Sequence, residues 1–194
     1  TNNLESDLIK YILYKEGGLT NDKNDSASRY PAPGVFTYKG KTANDWHTNK
    51  GVTWETFKDT IPGATAKLFF EMPVDKWMYI YKDKYLKPFL KFSNNPLINY
   101  ELSLWGWGSG IAGDGSIEQM GISGARSLLA TVYKTFPNFN ELIKTDPGKA
   151  FDILVFTRLK FYQRLAEKYP KNQKFLNGWI NAHLNFYNHF RKFV

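Results

Sequence analysis

The sequence contains no cysteine among its 194 residues, and this absence removes several classes of protein. It excludes a scaffold held by disulfides, a zinc site with thiolate ligands and a cysteine nucleophile. No apolar run approaches the roughly 18–20 residues that span a bilayer, so no stable membrane insertion is expected. The first residues lack the basic and apolar regions of a signal peptide. The three histidines are scattered without metal-ligand spacing, so neither a metal nor another cofactor is expected.

Basic and aromatic side chains are abundant in what remains. The chain has 26 Lys and Arg against 18 Asp and Glu, a formal net charge of +8, and 17% of its residues are aromatic. Such an excess of positive charge attracts polyanions, for example nucleic acid, acidic lipid or an anionic cell wall. The basic residues are dispersed and accompany no nucleic-acid-binding motif, so no nucleic-acid partner is expected.

The dominant hydrophobic period is helical. An opening amphipathic helix is predicted to end at Gly17 and Gly18. Residues 20–52 are polar, with a β-like segment at 35–38 and a turn at Lys39 and Gly40, which predicts a small irregular lobe with one hairpin. Later helices are predicted at about 54–59, 63–71, 74–86, 96–107, 124–135, 147–168 and 173–191.

This order of elements predicts a mainly α protein of the α+β class. No linker is long enough to divide the chain, so a single domain over residues 1–194 is expected, with the small lobe at about 20–52 and a helical C-terminal part at about 124–194. Thr53 is a predicted N-cap, and Asp146 followed by Pro147 predicts the start of the longest helix. The glycine-rich stretch 106–124 shows little helical periodicity.

The glutamate at position 16 is the most informative side chain. Leu8, Ile12 and Glu16 are spaced four apart, so the carboxyl group continues the apolar stripe of the first helix. The two glycines that follow let the chain turn and leave space beside this group. A carboxyl group at the edge of a core has a raised pKa, as a general acid requires. The alternative is a helix-end glutamate that points into solvent.

The polar lobe offers partners for such an acid. Asp25 follows Glu16 by nine residues across a loop, and Asp45 and Thr48 lie near the end of the lobe. Two carboxyl groups in unlike environments are what glycoside hydrolysis needs, since one protonates the leaving oxygen and the other activates water. Taken singly, these aspartates also fit the role of turn formers.

Two short motifs strengthen the first interpretation. The run 15–22 (Lys-Glu-Gly-Gly-Leu-Thr-Asn-Asp), followed by Asp25 and by the run 48–53 (Thr-Asn-Lys-Gly-Val-Thr), resembles the N-acetylmuramidases of glycoside hydrolase family 108, which are lysozyme-like proteins of the phage endolysin type. The C-terminal run 175–181 (Phe-Leu-Asn-Gly-Trp-Ile-Asn) is similar to the corresponding part of that family. The resemblance therefore touches most of the chain and implies a lysozyme-like fold.

The resemblance also implies roles for individual residues. Glu16 would be the general acid that cleaves the β-1,4 bond between N-acetylmuramic acid and N-acetylglucosamine. Asp25 would activate the attacking water and Thr48 would position it. Residues 26–47 form an apparent insertion relative to the family, which makes Asp45 a rival of Asp25. Asp45 itself, with Trp46 and Trp107 beside loops, is expected to contact the sugar substrate.

Arg158 lies on the apolar face of its predicted helix, near Leu154 and Phe161. A buried guanidinium needs a carboxylate or carbonyl partner, so this residue is either half of a structural ion pair or a group that tunes the active-site acid. His183 falls on a helical segment where a packing role is expected.

Three functions remain open on the sequence. The first is a monomeric peptidoglycan hydrolase that acts on glycan strands of the bacterial cell wall, in the periplasm or outside the cell, encoded by a phage and released by a separate factor. The second is a non-catalytic wall-binding or virion structural module that keeps a lysozyme fold. The third is a chitin or chitosan hydrolase.

Overall fold

A computed structural model describes residues 2–113, 116, 118 and 124–194, and the chain divides into two units, residues 1–83 and 84–194. Helices predominate, and the β-strands form a small lobe near the N-terminus, which confirms the mainly α, α+β class. The prediction of a single lysozyme-like domain stays a prediction. Within the described residues, no helix combines the length and the apolar character that crossing a bilayer requires.

The first unit packs short helices around an aromatic core. Leu8, Ile9 and Ile12 bury the inner face of its first helix, as the four-residue spacing predicts. Phe57 and Phe69, both fully buried, meet edge to face with ring centroids 5.5 Å apart. The helices are α1 (Asn2–Lys15), α2 (Trp54–Thr60), α3 (Ala66–Glu71) and α4 (Val74–Ile80), which continues as a π-helical segment (Tyr81–Leu86).

The strands of this unit form two small antiparallel sheets. Strands β2 (Phe36–Tyr38) and β3 (Lys41–Ala43) make the predicted hairpin. Its turn is Lys39 and Gly40, with φ of 47° and 78°, the left-handed conformation that two-residue hairpin turns require. The second sheet has the order β1-β4-β5, with β1 at Leu19–Thr20, β4 at Thr48–Asn49 and β5 at Val52–Thr53.

The described part of the second unit contains helices and loops and no strand. Its longest helix, α8 (Pro147–Lys168), packs against the other four, and Asp146 caps it by accepting a hydrogen bond from the Lys149 N–H at 3.0 Å. Trp105, Phe151 and Phe186 lie in its core. The remaining helices are α5 (Pro96–Ser109), α6 (Ala125–Thr135), α7 (Phe139–Thr145) and α9 (Gln173–Phe190).

Most predicted helices agree with the structure to within about three residues. The helix predicted at 74–86 changes to π-helical hydrogen bonding after Ile80, and α7 was not predicted at all. The stretch 106–124 shows little helical periodicity, but α5 continues into it as far as Ser109, two residues beyond the predicted end. Within that stretch, residues 114, 115, 117 and 119–123 lie outside the described part.

The hairpin packs closely against the chain just after Glu16. A Cβ atom added to Gly18 would overlap the hydroxyl and ring of Tyr38, whereas one added to Gly17 would meet nothing within 4 Å. We therefore expect Gly18→Ala to lower the free energy of unfolding by about 1–3 kcal/mol, the usual range for overpacking. Gly17→Ala is the matched control and should change it by less than about 0.5 kcal/mol. Urea unfolding of the two variants and the parent chain measures the difference, and equal stabilities would contradict this packing.

Candidate functional site

Glu16 directly follows helix α1. Its backbone N–H donates to the carbonyl oxygens of Ile12 and Leu13 at 3.1 and 3.2 Å, so the last helical turn holds this residue in place. The side chain is half-buried, and the adjacent Gly17 is exposed with open space at its Cβ position. Glu16 is therefore half-buried at the end of α1, and the chain beside it at Gly17 has open space.

A strand ladder joins the segment after Glu16 to the segment that carries Thr48. Thr20 in β1 is in register with Thr48 in β4, and Thr48 is in register with Thr53 in β5. The ladder extends further, because the Lys50 N–H donates to the Gly18 carbonyl at 3.3 Å. Thr48 is thus held across from a residue only four positions after Glu16.

The two faces of this sheet differ in chemistry. Leu19, Asn49 and Val52 are buried, while the alternate residues of the three strands are half-buried threonines. Asn49 fastens the buried face, since its amide donates to the carbonyl oxygens of Phe69 and Phe70 at 2.8 and 3.0 Å. A row of three hydroxyl groups therefore crosses the sheet on the face opposite the core.

His47 determines which way the Thr48 hydroxyl points. The imidazole is fully buried, with Nε2 3.1 Å from the Asp22 carbonyl oxygen and Nδ1 2.9 Å from Thr48 Oγ1. A carbonyl can only accept, so Nε2 carries the proton, and in the neutral ring Nδ1 accepts from the Thr48 hydroxyl. The lone pairs of Thr48 Oγ1 are then left to accept a hydrogen bond from another group.

Asp45 joins the two segments at the other end of the ladder. Its Oδ1 accepts from the Asn21 amide at 2.6 Å, and Lys41 donates to Asn21 Oδ1 at 2.6 Å. The hydrogen bond from Asn21, together with the positive charges of Lys41 and Lys23, lowers the pKa of the Asp45 carboxyl group despite its partial desolvation. Asp45 is therefore a stably ionised carboxylate.

Asp25 has a structural task in the same lobe. It is exposed, and its Oδ1 accepts from the Ala27 N–H at 2.9 Å to cap a 3-10 helix (Ser26–Arg29). This is the turn-forming role that the sequence left open for the aspartates. The cap engages Oδ1, while Oδ2 makes no hydrogen bond with any described residue.

The two tryptophans expected to contact sugar lie in different settings. Trp46 is only 2% exposed, its indole N–H donates to the Phe36 carbonyl at 2.9 Å, and Tyr38 packs against its ring. A ring so covered holds the hairpin together and has no face on which a sugar could stack in this conformation. Trp107 is half-buried in the second unit, edge to face with Tyr85 at 5.0 Å. Sugar contact by either residue stays a prediction.

The second unit contains a buried charge cluster that the sequence analysis missed in part. Glu101 on α5 is fully buried, 3.6 Å from Arg158 Nη1 on α8 and 2.9 Å from His183 Nε2 on α9. The interpretation of Arg158 as half of a buried ion pair is confirmed. Glu101 could have been found from the signal that singled out Glu16, since Leu97, Glu101 and Trp105 are also spaced four apart on an apolar helix face.

Burial and charge shift the pKa values within this cluster in opposite directions. Burial opposes the positive charge of Arg158, but the neighbouring Tyr162 and Glu101 outweigh it and raise the pKa of Arg158. Burial and the charge of Arg158 lower the pKa of His183, and they outweigh the opposite influence of Glu101. His183 is thus neutral at pH 7 while Arg158 carries the positive charge opposite Glu101.

Comparison with known proteins links the second unit to the bacterial wall. The family described as "Predicted Peptidoglycan domain" matches residues 108–184, which is 77 of the 194 residues. This match supports a peptidoglycan-related protein whose action concerns the cell wall. Comparisons with curated proteins and with solved structures found no match.

The lowered pKa of His183 predicts that the free energy of unfolding decreases as the pH is lowered. At a pH below about 6.5, the pKa of histidine in the unfolded chain, the unfolded chain binds a proton more readily than the folded chain does. The free energy of unfolding therefore decreases as the pH falls through this value. The loss can reach about 1.4 kcal/mol per pH unit. Urea unfolding at pH 7 and pH 5 should show a smaller loss for His183→Gln than for the parent chain. An unchanged slope in His183→Gln would refute the assignment.

Proposed function

We propose that this protein is a peptidoglycan hydrolase, an N-acetylmuramidase that cleaves the β-1,4 bond between N-acetylmuramic acid and N-acetylglucosamine. The observation that carries the proposal is the position of Glu16, half-buried at the end of α1 and followed by a strand whose ladder holds Thr48 opposite Thr20. The peptidoglycan family match in the second unit supports the substrate class independently of these residues.

In the proposed reaction the Glu16 carboxyl group donates its proton to the glycosidic oxygen as the bond to the anomeric carbon breaks. A water molecule attacks the anomeric carbon from the opposite face and transfers a proton to a carboxylate, so the product has the inverted configuration. Thr48 positions this water. Because His47 holds the hydroxyl proton of Thr48, its oxygen accepts a hydrogen bond from the water and leaves the water's own lone pair directed at carbon.

We propose Asp25 as the carboxylate that receives the proton. The resemblance to the muramidases gives it this role, and its exposed Oδ2 is available for a water molecule. Asp45 is the alternative, since its lowered pKa keeps it ionised. Its contact with Asn21, however, connects the segments on either side of the ladder, which favours a role in holding the lobe and in contacting substrate.

A binding module without catalytic activity is the second candidate. It is favoured by the extent of the family match, which covers residues 108–184 and leaves the Glu16 segment outside. It is also favoured by the contact of Asp25, because an aspartate that caps a 3-10 helix needs no catalytic role to explain its position. Retention on insoluble peptidoglycan without new reducing ends would support this candidate.

Neutralising the proposed acid tests the hydrolase. Glu16→Gln keeps the side chain's size but cannot donate a proton as an acid, so we expect the release of reducing ends from purified walls to fall by about 10²–10⁴-fold. Glu71→Gln, an exposed glutamate of the same unit, is the matched control and should retain the parent rate. Chitin and chitosan as parallel substrates test the third alternative. Equal rates for Glu16→Gln and the parent chain would overturn the proposed mechanism.

Two amide variants decide between the aspartates. We expect Asp25→Asn to lower the rate by about 10²-fold or more, because an amide cannot accept the proton from water. Asp45→Asn should lower it by less than about tenfold, through a loosened lobe. Initial rates on the same walls give the ranking, with thermal unfolding as the control for folding. The reverse ranking would transfer the base role to Asp45.

A further inference from the structure

A groove lies in the second unit, and none of the residues that line it is a proposed catalytic residue. It has a volume of about 680 Å³, within the range of small-ligand sites. One wall is the loop 91–95 with the first residue of α5, and the other is α7 with the first residue of α8. Ile143 and Phe92 form an apolar part of the lining.

Three side chains of this groove offer hydrogen-bond donors without a partner among the described residues. Lys91 and Lys144 form no ion pair with any described residue. Asn140 accepts from the Tyr133 hydroxyl at 2.8 Å through Oδ1, which leaves its amide nitrogen as a donor without a described acceptor. Asn140 and Lys144 are four residues apart on α7, so they share one face of that helix.

Negative charge is missing from the same lining. None of the described residues that line the groove is acidic, so its two lysines give it a local charge of +2. Two acidic residues adjoin the lining in sequence, Glu141 and Asp146, and neither forms an ion pair with Lys91 or Lys144. Asp146 uses its carboxylate to cap α8 through the Lys149 N–H. The groove therefore favours a ligand that offers anionic oxygen atoms to the two ammonium groups and small apolar groups to the Ile143 side.

We propose that this groove binds the carboxylates of the peptidoglycan stem peptide. Stem peptides are short, carry several free carboxylates and contain alanine methyl groups, which is the combination that the lining requires. The glycan strand itself has mostly neutral hydroxyl groups and would leave the ammonium groups without partners. This assignment rests on the proposed peptidoglycan substrate, but it concerns recognition by the second unit and does not involve the Glu16 chemistry.

Calorimetric titration of the full chain with a soluble muropeptide tests the groove. The probe is the disaccharide N-acetylglucosaminyl-N-acetylmuramic acid with a tetrapeptide stem, which lacks the bond that the proposed hydrolase cleaves. Lys91→Gln combined with Lys144→Gln should weaken binding by about 2- to 30-fold, as expected for two solvent-exposed ion pairs. Lys134→Gln combined with Lys160→Gln removes the same charge from exposed positions elsewhere in the unit and should leave the dissociation constant unchanged.

Three further ligands identify the recognised group. The disaccharide without a peptide, and the muropeptide with its carboxylates converted to amides, should both bind more weakly than the intact probe. Equal binding of either one would overturn the proposal, as would tighter binding of a glycerol phosphate oligomer. Failure of the parent chain to bind the probe, or equal weakening by both lysine pairs, would also overturn it.

The outcome is separable from that of the hydrolase. A groove that fails this titration leaves the Glu16→Gln assay on walls unaffected. Conversely, binding that depends on Lys91 and Lys144 can hold in a chain that releases no reducing ends.

Discussion

The register between β1 and β4 is the constraint on which the candidate site depends. Because successive side chains of a strand point to opposite faces, a slip of one residue would bury Thr48 and expose Asn49. Two residue pairs make a weak ladder by themselves. The register is held by contacts beyond it: Asn49 bonds to the end of α3, and the Trp77 indole donates to the Lys50 carbonyl at 2.9 Å. The helices of the first unit thus determine where the Thr48 hydroxyl lies.

The second unit contains a buried charge cluster within a mostly apolar core. Glu101, Arg158 and His183 come from three different helices, and neither charge of the Glu101–Arg158 pair could be buried alone without a large desolvation penalty. A shift of α5 or α8 would leave one of these charges without its partner, and a shift of α9 would remove the contact of His183 with Glu101. Trp105 covers the guanidinium face with its ring centroid 5.4 Å from Arg158 Cζ, which adds a cation–π contact.

Elements with explicit local signals could be predicted from the sequence. Thr53 and Asp146 cap helices as expected, and the turn of Lys39 and Gly40 closes the predicted hairpin. The same Lys-Gly signal at positions 50 and 51, with φ of 48° and 77°, marks the β4–β5 turn and would have revealed the second sheet. A strand of two residues is too short to show a period-two pattern in the sequence. In the same way, the seven residues of α7 are too few to show a clear helical period.

Properties that depend on long-range contacts could not be predicted in the same way. Nothing local distinguishes Trp46, which is buried against the hairpin, from a tryptophan exposed beside a loop. Likewise, the tautomer of His47 follows from the Asp22 carbonyl, 25 residues away in sequence. The candidate acid could be singled out because Glu16 continues the four-residue spacing of α1, whereas its proposed partners lie in the irregular lobe, where spacing carries little spatial information.

The proposed catalytic residues and the proposed wall-binding residues lie in different units, so the two groups would contribute differently to action on a polymer. Groups that only bind the wall hold substrate and transition state equally well, so they raise occupancy without accelerating bond cleavage. Cleavage depends on groups whose interactions strengthen as the bond breaks, and the candidates for that role, Glu16, Asp25 and Thr48, all belong to the first unit. The peptidoglycan family match and the cationic groove involve the second unit. For the proposed hydrolase, substitutions of Glu16, Asp25 or Thr48 should therefore lower the catalytic rate constant, and those of Lys91 and Lys144 should raise the concentration of wall at which the rate saturates.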